Sequence, residues 1–412
     1  MRIMIVTDQY PPMVGGVPVV THDLAVGLAA RGHQVWVVAP CQGARDVHRI
    51  EEGVHVYRFT SFEWPTYPDM RIPFLPILPI RRLLKQSNPD VIHIHSPIVL
   101  GNIAQLLAGG LRKPVIATNH YLPINISRTL ASDQRFSKHF DTLSYSYLIH
   151  FYNRCEYVTT PTHTALRLLY EHGLRAPAGV ISNGVDLKKF APGPPDEEVR
   201  QRYHLPADRP LVLHVNRLSE EKRVNVLLDA VAQLKHRAYV VLAGTGPAEA
   251  ELREQAARLR IEEHVAFLGF VADRDLLAIR RMADLFVIPS EADLQSLATM
   301  EAMACGLPVI AANAYALPEL VHHGENGLLF EPGNSGELAR AIDYLLEHPE
   351  LRRQMGAKSL EIIAQHDRER VLDQWEALYQ RLASEFAVAR QLRERARRAL
   401  RLRRPPLPSE RG

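Results

Sequence analysis

Ile288-Pro-Ser-Glu-Ala-Asp-Leu-Gln-Ser-Leu-Ala-Thr-Met-Glu-Ala-Met-Ala-Cys-Gly306 packs a strand end, a polar loop and a helix start into one short stretch. The apolar run Leu285 to Ile288 reads as a buried strand. A helix begins near Ser296, whose hydroxyl suits the N-cap position because it can accept from the free amides of the first turn. The first-turn amides at Leu297 and Ala298, with the helix dipole behind them, make an anion site that fits a diphosphate. Glu301 follows about one turn in, on the face of Leu297. A carboxylate there can accept two hydrogen bonds from a ribose diol. Asp293, in the loop, can reach sugar hydroxyls.

The same strand, loop and helix rhythm extends in both directions. Upstream, Leu211–Val215, Tyr239–Ala243 and Val265–Leu268 read as strands, and a helix covers about 224–235. Downstream, Val309–Ala311 is another strand. The first half repeats the pattern with strands Ile3–Val6, Gln34–Ala39, Val91–His95 and Val115–Ala117 and a helix over about 17–30. Continuous apolar runs separated by helices indicate parallel sheets covered on both faces. The expected fold is α/β, two Rossmann-like doubly wound domains facing across a cleft, with ligands at the carboxyl ends of the strands. The turn Ile181-Ser-Asn-Gly-Val-Asp186 and the linker Ala191-Pro-Gly-Pro-Pro195 separate the halves. The expected bounds are 1–190 for an N-terminal domain and 191–370 for a C-terminal one. A helix over 371–389 crosses back to the N-terminal domain, and 390–412 is a basic tail.

Composition agrees with a soluble two-domain chain. It has 412 residues, 46% hydrophobic and 23% charged, with a net charge of +3, too long for one ordinary core. Cys41, Cys155 and Cys305 are far apart and form no CxxC pair, which argues for a reducing compartment and against a disulfide framework or zinc site. Met1-Arg-Ile-Met-Ile-Val6 lacks the long apolar core of a signal peptide. No run of about 18 apolar residues is present. The expected location is cytoplasmic, free or peripheral on the inner face of the plasma membrane.

Asn216-Arg-Leu-Ser-Glu-Glu-Lys-Arg223 follows a strand and offers Arg217 and Lys222 as a diphosphate clamp, one by a planar fork and one as a point charge. Gly244-Thr-Gly246 follows the next strand. His93 and His95 at a strand end suit structural roles better than a metal pair, since no third ligand lies at a convincing spacing.

Together, these segments resemble the family 4 retaining glycosyltransferases of the GT-B type (glycosyltransferase group 1). In that family's signature two glutamates flank a glycine-rich stretch before an Ala-Met-Ala-like helix. The match runs through Glu301-Ala-Met-Ala-Cys-Gly-Leu-Pro-Val309. The resemblance implies that Glu301 binds the donor ribose. It puts Asp293 where a glutamate contacts the transferred sugar, one C–C bond shorter, ~1.5 Å. Leu294-Gln-Ser296 replaces the glycine-rich stretch and is similar to a branch of bacterial diacylglycerol and phosphatidylinositol glycosyltransferases. Arg217 and Lys222 map to the phosphate-binding pair. Gly244 and Gly246 map to a loop that nucleotides approach closely, and Phe267-Leu-Gly-Phe-Val271, with Phe270 and Val271, to the segment lining the base. Tyr10-Pro-Pro-Met-Val-Gly-Gly16 resembles the first loop, where Gly15 and Gly16 approach donor phosphate and acceptor. Thr118-Asn-His120 resembles a strand-end motif with His120 near the transferred sugar. Ser182-Asn-Gly-Val-Asp186 matches the hinge.

The implied activity is retaining transfer of a hexose from a UDP- or GDP-sugar to an acceptor hydroxyl, without cofactor or metal. The implied catalytic set is His120, Arg217, Lys222 and Asp293. A membrane lipid such as diacylglycerol is the expected acceptor, because Trp64-Pro-Thr-Tyr-Pro-Asp-Met-Arg-Ile-Pro-Phe-Leu-Pro-Ile-Leu-Pro-Ile80 is apolar and leads to Arg81, Arg82 and Lys85. Packing inside the N-terminal half is the competing reading of that segment. Residues 390–404 carry eight arginines and one glutamate, which suits an anionic membrane surface or an unengaged basic tail. No aromatic interleaving points to nucleic acid. Two other classes share these features: a sugar-nucleotide 2-epimerase-like isomerase and an inactive sugar-nucleotide-binding protein.

Overall fold

The computed structural model describes residues 1–43, 45–64, 67–124 and 134–402, with side chains except at 67–70, 134–138, 390 and 393–402. Pro65-Thr66 of the apolar segment and the end of the basic tail lie outside the described residues. The chain clusters into two compact units: Met1–Thr118 with Arg154–Val158 and the chain from Leu372 on, and Asn119–Asn153 with Thr159–Val371.

The first unit is built on β1 (Arg2–Val6), β2 (Gln34–Cys41), β3 (Val47–Glu51), β4 (Val54–Trp64), β5 (Tyr67–Pro73), β6 (Val91–Ile94) and β7 (Val115–Thr118). Their order is β3-β4-β2-β1-β6-β7, with β5 on β4. The central strands are parallel, Ile3 lying opposite both Val35 and Val91. They are buried on both faces, which is why they read as unbroken apolar runs. β3 and β5 are antiparallel to β4, an edge that continuous apolar runs did not announce. The helix Arg368–Leu402 brings Leu372 against Gly27. It also brings Asp373 and Glu376 to Arg31 at 2.7 and 3.0 Å.

In the sheet order, β8 (Tyr157–Thr160) and β9 (Ala178–Val180) follow β7, and the second unit carries a separate six-stranded parallel sheet. Its strands are β10 (Leu211–Val215), β11 (Tyr239–Ala243), β12 (Val265–Gly269), β13 (Leu285–Ile288), β14 (Val309–Ala312) and β15 (Gly327–Phe330). The order is β12-β11-β10-β13-β14-β15. The chain winds outward one way from β10 and then outward the other way from β13. The crevice between the carboxyl ends of these two strands is therefore the switch point where doubly wound sheets bind ligands. One helix is shorter than its pattern: the turn after Val231 ends it because Asp343 accepts the amides of Lys235 and His236.

Candidate active site

Two loops meet at the β10–β13 switch point. The loop after β10 carries Arg217 and Lys222, and the loop after β13 carries Asp293. Lys222 Nζ donates to Asp293 Oδ1 at 2.8 Å. Both side chains are largely buried. Burial alone would raise the Asp293 pKa, but the Lys222 charge and hydrogen bond outweigh it and hold the carboxyl below its usual range. Among the described residues, Asp293 Oδ2 is buried with no hydrogen-bond partner, a position that suits a hydroxyl-bearing ligand. Below the pair, His214 in β10 holds Val287 O through Nδ1 at 2.9 Å. Burial drives its pKa down to about 4, so it adds no charge. A histidine buried in an apolar strand gave no sequence signal for this placement.

The helix Leu297–Ala304 begins as its sequence dictates. Ser296 Oγ accepts the Thr299 amide at 3.2 Å. The amides of Leu297 and Ala298, at the first two positions, have no intrahelical acceptor, and no acidic side chain occupies the first turn. Glu301 does not face solvent. It pairs with Arg280, a residue only 3% exposed on the helix Asp273–Met282. Burial raises the Glu301 pKa against the opposing charge of Arg280.

The loop between Asp293 and the helix is anchored inside the second unit. Leu294 packs with Leu122, Ala165 and Ala292, and its carbonyl accepts Thr162 Oγ at 2.9 Å. Gln295 Oε1 accepts the Asn183 amide at 2.8 Å, and its Nε2 donates to Ser182 Oγ at 3.1 Å. Gln295 thus ties the loop after β13 to Ser182-Asn-Gly-Val-Asp186. No simple pattern in the sequence foretells such a long-range pairing.

The two glycines lie against the backbone of the loop after β10. A Cβ on Gly244 would lie 1.9 Å from Asn216 O, and one on Gly246 would lie 2.1 Å from Leu218 O. Their smallness lets the Gly-Thr-Gly loop seat the Arg217 loop, with Leu218 N donating to Thr245 O at 3.0 Å. Arg217 is half-buried. Phe270 is exposed at the end of β12, while the Val271 side chain is in the core, so Val271 can offer a ligand only backbone.

His120 follows β7 and belongs to the second unit; burial lowers its pKa to about 4, so the imidazole is neutral. Gly15 and Gly16 belong to the first unit, where Gly15 takes φ +155° before the helix Gly16–Ala30. His93 is structural: it bonds Tyr379 at 2.7 Å and Thr118 at 2.6 Å.

A doubly wound nucleotide-binding sheet with a basic loop, a capped helix and a buried acid at its switch point defines a sugar-nucleotide transferase of the GT-B type. The model of the glycosyl transferases group 1 matches residues 195–361, and that of glycosyltransferase family 4 matches residues 14–189. The chain is 31% identical over 358 residues to a GDP-mannose-dependent alpha-mannosyltransferase of Corynebacterium glutamicum, covering 84% of this chain and 81% of that one. It is 28% identical over 381 residues to an alpha-monoglucosyldiacylglycerol synthase of Streptococcus pneumoniae, covering 90% and 84%. The solved structure of Anabaena HepE in complex with UDP-glucose superposes with a TM-score of 0.75 at 25% identity, covering 92% of this chain and 99% of that one. The chain belongs to the group 1, family 4 glycosyltransferases and uses nucleotide sugars.

Proposed function

We propose that this enzyme moves a hexose from a UDP- or GDP-sugar to the hydroxyl of a membrane lipid, with retention of anomeric configuration. The observation that carries the reading is the Lys222–Asp293 pair at the switch point, with Asp293 Oδ2 left as a buried acceptor. In this reading, Arg217, Lys222 and the amides of Leu297 and Ala298 hold the diphosphate, and no metal is needed to neutralise it. Glu301 takes the ribose, and Asp293 and neutral His120 orient the sugar. Attack comes from the face the diphosphate leaves. The anomeric C–O bond to phosphate breaks as the bond to the acceptor oxygen forms, and a β-phosphate oxygen takes the acceptor proton. The cations stabilise the charge growing on the leaving group, the term that usually dominates.

A lipid acceptor is supported by the named activity of the Streptococcus pneumoniae relative and by the surface of the first unit. Phe62, Trp64, Phe74, Leu75, Ile77 and Leu78 are exposed. The helix Ile77–Ser87 turns Ile80, Leu83 and Leu84 inward and Arg81, Arg82 and Lys85 outward, an arrangement suited to an anionic interface. The test is a thermal-shift panel of UDP- and GDP-sugars, followed by incubation of the stabilising donor with diacylglycerol vesicles. A glycolipid with retained configuration is expected. Epimerised donor without acceptor would make the protein an isomerase, and binding without turnover would make it an inactive binder.

A further inference from the structure

The Glu301 carboxylate sits where the proposed ribose contact requires a charged acceptor, yet the surroundings oppose charge. Its neighbours are few. Lys189 and Asp273 lie near it and pair with each other at 2.9 Å. The Cys305 thiol is close and buried. Arg281, also near Cys305, is turned away, its Nε bonded to Ala191 O at 2.9 Å. Among the described residues, the partner that reaches Glu301 is Arg280, through Nη2 to Oε2. The Arg280 guanidinium lies 5.4 Å from the Phe190 ring centroid, and Phe190 is itself buried. Its position is therefore fixed by packing, not by solvent. A guanidinium held in this way fixes one carboxylate oxygen and leaves Oε1 to a ligand.

We propose that Arg280 is a positioning residue for donor recognition: from beneath the helix Leu297–Ala304 it holds Glu301 oriented and ionised so that Oε1 accepts the ribose diol of a nucleoside diphosphate. This rests on the reading of Glu301 as the ribose contact. Arg280 never touches the nucleotide; it acts through the carboxylate. Without it, burial is opposed only by the Lys189 charge, itself offset by Asp273, and the protonated acid loses acceptor capacity toward the diol.

The experiment measures UDP and GDP binding calorimetrically to the wild type, Glu301→Gln, Arg280→Met and Arg280→Lys, in a series of buffers of rising pH. Arg280→Met is expected to weaken binding of the preferred nucleotide about tenfold or more at pH 7, with affinity recovering as pH rises and the acid ionises. Arg280→Lys keeps the charge and loses the fork, so it should bind a few-fold more weakly with a flat pH profile. The 2′-deoxy nucleotide should bind wild type less well than the ribonucleotide and should bind Arg280→Met nearly as well as the ribonucleotide does. If Glu301→Gln weakens binding while Arg280→Met matches wild type in affinity and pH profile, the positioning role is overturned. If Glu301→Gln itself binds as wild type does, the ribose reading beneath it fails first. If Arg280→Met does not fold, Arg280→Lys decides: unchanged affinity overturns the role, and weaker affinity with a flat profile supports it.

Discussion

Lys222 Nζ and Asp293 Oδ1 lie 2.8 Å apart, each side chain only 12% exposed. Removing one member of such a pair strands the other in a poorly solvated place. Lys222→Ala should therefore lower stability by about 3–5 kcal/mol and turnover by about a hundredfold or more. The double variant Lys222→Ala with Asp293→Asn should regain most of the thermal stability and none of the turnover. Calorimetric melting and initial rates on the same preparations separate the two effects. Recovery of turnover in the double variant would show that Lys222 does not stabilise the leaving diphosphate.

Gly244 and Gly246 seat the Arg217 loop through contacts that a methyl group would fill. Alanine at either site drives a Cβ into a backbone carbonyl, with an overpacking cost of about 1–3 kcal/mol. The displaced loop should also weaken nucleotide binding. Gly269 gives the control: it has φ +66°, and a Cβ added there would meet nothing within 4 Å. Gly269→Ala should therefore cost only the left-handed strain, about 1–2 kcal/mol, and spare the Arg217 loop. Equal losses of nucleotide affinity in all three would detach the glycines from the site.

The sequence carried the parallel strands because strands covered on both faces must be apolar throughout, and Ile3–Val6, Tyr239–Ala243 and Leu285–Ile288 leave little else to read. It carried the Ser296 cap because the side chain and the amide it caps are three residues apart. The antiparallel strands β3 and β5 were not legible, since they sit at an edge where polar residues intrude. Arg280 was not legible either. It lies on a helix before β13, among charged neighbours, and only the crossing of two helices shows that it faces Glu301 and not water. The contact of Gly244 with Asn216 O was not legible for a related reason: a glycine signals close approach, but sequence cannot say which backbone approaches.

Phe74 and Leu75, in the apolar segment of the first unit, are 63% and 66% exposed. The double variant Phe74→Glu with Leu75→Glu touches no buried contact, so its melting temperature should match wild type. Flotation with vesicles rich in anionic lipid should fall several-fold, since it loses apolar insertion and gains repulsion. Truncation after residue 389 tests the basic tail in the same assay, each arginine near the surface being worth about 1 kcal/mol at most. Unchanged flotation in both would remove the membrane surface from the reading.

Asp8, two residues after β1, is buried, and its Oδ1 accepts the Leu100 amide at 3.2 Å while Oδ2 has no partner among the described residues. Burial raises its pKa from 3.8 to about 7, against the opposing backbone hydrogen bonds. The folded protein thus keeps a proton that the unfolded chain releases. The contribution to stability is complete below about pH 4 and is lost as pH rises through 7. His120 and His214 act with the opposite sign. Burial lowers both from 6.5 to about 4, so their contribution is complete above 6.5 and is lost as pH falls toward 4. Asp8→Asn keeps an acceptor for Leu100 and removes only the titration. Its melting temperature should equal wild type near pH 4 and exceed it increasingly up to pH 8, with a free-energy gain of at most about 4 kcal/mol. Its acid limb, set by the histidines, should be unchanged. A difference between variant and wild type that does not vary with pH would show that Asp8 is not the group titrating there.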